Sequence, residues 1–150
     1  MSRRKASPRR KEALRKGFAS GLELDIAEQL DEAGEAYDYE KEALEIWLEV
    51  PKNQRIKCKG CEGRELVKNA KYTPDFFLKS GIIIESKGRF TAVDRRKALA
   101  VKQQHPELDY RMLFQFNNPL TKGGKNRYSD WCIKHDIKYA VGKVPEEWLS

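Results

Sequence analysis

Three ionisable residues stand close together in the middle of the chain: Asp75, Glu85 and Lys87, within "YTPDFFLKSGIIIESKG" (72–88). Ile82, Ile83 and Ile84 read as a strand entering a core, yet that strand ends in Glu85, Ser86 and Lys87. Burying a charge is costly unless it is paired or bound to a metal. Alternate side chains of a strand share a face, so Glu85 and Lys87 point the same way, ~6.6 Å apart along the strand. The short turn "KSG" brings the segment carrying Asp75 back antiparallel, opposite or diagonal to Glu85. Two carboxylates so placed offer hard oxygen donors that suit Mg²⁺ or Mn²⁺. A neighbouring ammonium can orient an attacking water or offset charge developing at phosphorus. The same spacing also fits a cross-strand ion pair on an exposed sheet edge, which stabilises weakly. The Pro-Asp pair and the apolar run into Glu85 favour the metal.

The surrounding elements must hold these groups. "SGLELDIAEQLDEAGEAY" reads as a helix, with Ser20 as N-cap, Ser20-x-x-Glu23 as a capping box and Leu22, Ile26, Leu30 and Ala33 as its apolar stripe. Gly34 is a natural stop. Taken alone, Glu23 is a capping partner at the rim of that stripe. Leu44, Ile46 and Leu48 alternate with Glu45, Trp47 and Glu49 and predict a strand exposed on one face that Pro51 interrupts. Residues 51–71 read as an excursion. "YTPDFFL" and "GIIIESKG" are the next two strands. Asp94 is placed to cap a helix over "DRRKALAVKQQH", which Pro106 ends. "YRMLFQF" is a strand, "NNPLTKGGKNRYS" a basic loop, "SDWCIKHD" a short helix, "IKYAV" a short strand and "VPEEWL" a final turn. The order α-β-β-β-α-β-α-β implies a mixed α/β fold with one central sheet, in one domain over 18–150.

Charge is unevenly spread. Residues 1–17 carry +7, residues 18–49 carry −10 and residues 50–150 carry +10. The first segment, dense in like charge and poor in apolar residues, predicts a disordered basic arm over 1–17. The basic balance suggests a polyanion, most often nucleic acid, although a solubility tail and solvated faces would carry the same charge. Arg89, Arg95, Arg96, Lys97, Lys122, Lys125 and Arg127 are candidates for phosphate contacts, with Lys16 and the other arm cations adding affinity. No apolar run is long enough to span a bilayer, and no secretory stretch opens the chain. The expectation is a cytoplasmic protein with reduced thiols at Cys58, Cys61 and Cys132. Cys58-x-x-Cys61 with Cys132-x-x-His135 could supply four ligands to a structural Zn²⁺; exposed thiols and a core Cys132 fit the spacing too. His105, before Pro106, reads as a surface or capping histidine.

Pro74-Asp75, nine residues, then Glu85-Ser86-Lys87 resembles the PD-(D/E)xK nuclease signature. Together with "SGLE" (20–23), "SGIIIESKG" (80–88), "DRRK" (94–97), "QHPELDYR" (104–111), "KHDIKYA" (134–140) and "PEEW" (145–148), it resembles the endonuclease I family of T-odd phages, which are Holliday junction resolvases. The resemblance implies a restriction-endonuclease-like core in a domain-swapped homodimer, with a hinge around residues 44–56. It implies that the first helix of one subunit completes the site of the other, so that active sites are composite. It places metal ligands on Glu23, Asp75, Glu85 and the carbonyl of Ser86, the catalytic lysine on Lys87, and Mg²⁺ or Mn²⁺ as cofactor, two per site. The implied activity is nicking of opposed strands in four-way and other branched DNA. The alternatives are a sequence- or mismatch-directed nuclease on the same core, and a DNA-binding module without catalysis. The excursion with its CxxC departs from the family.

Overall fold

The apolar strand that ends in charge lies at the centre of a mixed sheet. The protein is described by a computed structural model over residues 6–49 and 67–149. In chain order its elements are α1 (Pro8–Arg15), α2 (Gly21–Glu32), β1 (Tyr37–Tyr39), β2 (Leu44–Glu49), β3 (Val67–Tyr72), β4 (Phe76–Leu78), β5 (Ile82–Lys87), α3 (Ala92–Gln104), β6 (Asp109–Phe114), α4 (Tyr128–Lys134) and β7 (Lys138–Val141), then a 3₁₀ turn at Glu146–Trp148. The five-stranded sheet has the order β1-β4-β5-β6-β7. Its first three strands are antiparallel neighbours, and β5, β6 and β7 are parallel. Parallel neighbours need long crossovers, which α3 and α4 supply.

Both faces of the sheet are covered, which is why β5 and β6 read as continuous apolar runs. On one face α2 and the C-terminal turn bury Phe76, Ile82, Ile84 and Leu113 under Ile26, Leu30 and Trp148. Gln29 locks α2 in place through paired hydrogen bonds with the backbone of Val144, at 2.7 and 2.8 Å. On the other face α3, α4 and the ribbon formed by β2 and β3 cover Phe77, Ile83, Tyr110, Met112 and Phe114.

The structure departs from the sequence reading in several places. The expected disordered arm contains α1. Ser7 caps it, Pro8 sits in its first turn and Ala13 is buried. Arg9 reaches Asp25 and Glu28 on α2, and Lys16 reaches Glu12 and Glu28. The acidic segment neutralises the repulsion that would keep the arm unfolded, a long-range pairing that composition does not reveal. The excursion over 51–71 ends in β3, whose residues 67–72 pair with β2. The strand expected over "YTPDFFL" is broken, because Thr73, Pro74 and Asp75 lie between β3 and β4. Helix α3 is capped by Thr91, with Asp94 as its reciprocal partner three residues on. The three-residue β1 was not expected; it is too short to show a pattern.

Candidate active site

The β4–β5 register sets Phe76 opposite Ile84, which continues to set Asp75 opposite Glu85. Pro74 cannot donate a ladder hydrogen bond, so the chain leaves the sheet just before Asp75. The released carboxylate is held instead by Ser86, whose backbone N–H and hydroxyl donate to Asp75 Oδ2 at 2.9 and 2.7 Å. Lys87 Nζ stands 3.3 Å from Glu85 Oε1 and 3.5 Å from Asp94 Oδ1. Helix α2 begins beside this point. Ser20 Oγ accepts from the Glu23 N–H at 3.2 Å and donates to Glu23 Oε2 at 3.1 Å. The capping box thereby aims the Glu23 carboxyl at Asp75, within hydrogen-bonding reach. A single chain thus brings together Glu23, Asp75, Glu85, Ser86 and Lys87. The three acids are only 7%, 7% and 3% exposed.

Three buried carboxyls against one lysine cannot all ionise cheaply. Desolvation, followed by the charge of Asp75, pushes Glu85 up to about 8 despite the opposing pull of Lys87. Burial and the nearby Asp75 likewise push Glu23 up to about 7, against the hydrogen bonds from Ser20. Burial pulls Lys87 down, but Glu85 and Asp94 outweigh it, and its pKa rises on balance. The ammonium is therefore firmly charged, while Glu85 beside it and Glu23 across from Asp75 favour the neutral form.

This arrangement is short of positive charge, and it suits a hard divalent cation. Glu85 Oε2 is buried with no hydrogen-bond partner, an orphan acceptor of the kind a native interior avoids. The available donors are all oxygen, which favours Mg²⁺ or Mn²⁺ over a soft metal. Among the described residues no three acidic, histidine or cysteine side chains are already arranged as a finished metal cage. The set fits a cation by its chemistry, though its side chains are not closed around one.

Residues 65–150 match the family of phage endonuclease I. The chain is 36% identical over 134 residues to Endonuclease I of Escherichia phage T7, covering 89% of this chain and 78% of that protein. It is 37% identical over 131 residues to Endodeoxyribonuclease 1 of Enterobacteria phage T3, covering 87% of this chain and 75% of that one. The chain belongs to the phage endonuclease I family. It is therefore an endonuclease, and the buried acidic cluster beside Lys87 is its candidate active site.

Other candidate residues of this family member are scattered more widely. Arg89, Arg96, Lys122, Lys125 and Arg127 are exposed, while Arg95 and Lys97 are half-buried on α3. Arg89 follows the active strand directly. Arg95 donates to the Phe90 carbonyl at 2.7 Å and Arg127 to the Asn117 carbonyl at 2.8 Å. Lys16 is engaged with acidic side chains. Arg96 lies beside Trp47 and Leu48 of the ribbon.

Cys58 and Cys61 lie outside the described residues. Cys132 is wholly enclosed in the core with Ile137 and Tyr128. Burial pushes its thiol up to about 12. His135 packs its ring on Trp131 at 4.5 Å. The histidine at 105 places Nε2 2.7 Å from the Glu45 carbonyl, tying α3 to the ribbon.

Three contributors were missed. Asp94 serves as a capping partner and also pairs with Lys87; its position seven residues downstream carries no strand or helix signal for that contact. Tyr72 and Tyr110 lie behind Glu85 and look like ordinary strand aromatics in the sequence.

Proposed function

We propose that the chain is a metal-dependent endodeoxyribonuclease that acts on four-way junctions and other branched DNA, nicking opposed strands as a homodimer in the host cytoplasm. The observation that carries the catalytic part is the convergence of Glu23, Asp75 and Glu85 beside a charged Lys87, with one buried Glu85 oxygen left without a partner. Family membership supports DNA as the substrate: one relative is named an endodeoxyribonuclease.

Asp75 and Glu85 would hold Mg²⁺ or Mn²⁺, with Glu23 and the Ser86 carbonyl completing the set, two ions per site. The bound cation supplies Lewis acidity toward the scissile phosphate and lowers the pKa of water. The remaining steps belong to the protein. Ser86 keeps Asp75 in one orientation. Asp94 and Glu85 hold Lys87 protonated at the mouth of the site, where its Nζ can orient a water or steady negative charge on phosphate oxygens. The surrounding apolar strands exclude bulk water and strengthen both effects. Arg89, Lys122, Lys125 and Arg127 are exposed cations available to phosphates, without sequence readout.

The dimer reading draws support from Trp47 and Val67, which stand 54% and 53% exposed on the β2–β3 ribbon. That ribbon begins in the suggested hinge region. In a swapped dimer the contact between Glu23 and Asp75, made here within one chain, would be made between chains. A substrate of two-fold character matches such symmetry.

The test compares a four-way junction with a matched linear duplex, with and without Mg²⁺. Junction-selective, Mg²⁺-dependent nicking is expected. Equal cutting of both substrates would point to a sequence- or mismatch-directed nuclease, and binding without cutting to a non-catalytic module. Light scattering of the purified protein reads the dimer.

A further inference from the structure

Behind the acidic cluster lies a polar feature with no role in the reaction as described. Tyr110, the second residue of β6, is buried at 5% exposure beside Ile83 of β5. Tyr72 is the last residue of β3, on the ribbon, and its hydroxyl end reaches into the same space. The two hydroxyls are 2.7 Å apart, and either can donate. The rings meet edge to face with centroids 6.3 Å apart. Phenylalanines would pack in the same way, so the hydroxyls call for a separate explanation.

A count of protons supplies one. Each tyrosine hydroxyl has one donor proton, and the bond between them uses only one of the two. A buried donor normally finds an acceptor. Both hydroxyls sit close enough to Glu85 to interact with its charge, and that of Tyr72 also acts on the carboxyl as a nearby donor. Glu85 Oε2 is the buried acceptor without a bond. If Tyr110 donates to Tyr72, the spare proton is on Tyr72, next to the spare acceptor.

We infer that Tyr110 and Tyr72 form a positioning relay for Glu85: Tyr110 donates to Tyr72, Tyr72 donates to the Glu85 carboxylate, and the pair sets the carboxylate's orientation. Lys87 holds one oxygen from the solvent side and the relay holds the other from the core. The relay also ties the site to the ribbon, because Tyr72 closes β3 opposite Leu44. A displacement of the ribbon would therefore be felt at Glu85. This inference rests on the nuclease reading for its kinetic consequence, and on the tyrosine pair and the partnerless Glu85 oxygen for its structural one.

The experiment uses Tyr72→Phe, Tyr110→Phe and the double variant in the full chain. Single-turnover nicking of a four-way junction at saturating Mg²⁺ should slow about tenfold for Tyr72→Phe, the loss of one hydrogen bond to a charged group. Tyr110→Phe should slow it less, and the double variant should be no slower than Tyr72→Phe, because the hydroxyls act in series. Junction affinity should not change. Independently, the ¹³C resonance of the Glu85 carboxyl in metal-free protein should move in both single variants and stay in place in Tyr139→Phe, a half-buried tyrosine of the same core. Rates within about twofold of wild type with an unmoved Glu85 resonance would overturn the relay and leave the nuclease reading intact. Losses that multiply in the double variant would also overturn it. A wild-type protein that does not nick, but whose Glu85 resonance responds to both hydroxyls, would sink the nuclease reading and keep the relay.

Discussion

Helix α2 carries two sets of carboxylates with opposite fates. On one flank Asp25 is exposed and Glu28 half-buried, and they are matched to Arg9 of α1 and to Lys16 just after it. Those acids raise the pKa of Arg9 through their hydrogen bonds, and the pairing seats a short helix. On the other flank, two residues before Asp25, Glu23 is buried against Asp75 with only a serine to satisfy it. The same residue type on the same helix is structural where cations answer it in solvent. It holds its proton more tightly where acids crowd together in the interior. Carboxyls raised by burial and by one another are candidates for function; exposed carboxylates with partners are not.

The largest test of that contrast is Glu85→Gln. It should cut nicking by about 10³-fold while raising the thermal midpoint of the metal-free protein, because it removes a buried like-charge conflict. A fall in both would mean that Glu85 is structural. Next in size, Lys87→Met should lower the single-turnover rate by roughly 10²-fold without loss of junction binding, as read by gel shift.

A smaller effect concerns stability against pH. Glu85 and Glu23, raised to about 8 and about 7 from an ordinary 4.5, keep their protons in the folded chain after the unfolded chain has released them. The folded state then binds more protons, so the stability of the metal-free protein falls as pH rises from about 4.5 to about 8. Thermal melts across that range should show the decline, and Glu85→Gln should flatten it. Added Mg²⁺ should restore stability at the high end by binding the folded state. The smallest effect belongs to the other flank. Arg9→Ala should speed amide exchange in α1 and barely shift the global midpoint, since exposed ion pairs contribute little.

Much of the site could be read from the chain because it depends on local rules. A strand alternates its side chains, which paired Glu85 with Lys87. A three-residue turn brought Asp75 back, and the β4–β5 register bears that out. Ser20 and Glu23 followed capping chemistry. What stayed hidden was set by distant partners. The cations of α1 meet acids on α2 only after both helices form. Asp94 reaches Lys87 only once the first turn of α3 is set beside the end of β5. Tyr72 and Tyr110, separated by 38 positions, meet only when the ribbon folds over β6.

The sequence by itself determined the chemical parts: three acids, a lysine, and the apolar strand that carries two of these residues into the core. Period-two alternation and helix capping act over a few residues, so they are written locally. The tertiary structure decided the electrostatics. Whether a carboxyl is ionised depends on who stands beside it and how much water remains. Glu23 and Glu85 acquire their raised pKa values only when α2, β4 and β5 enclose them around Asp75.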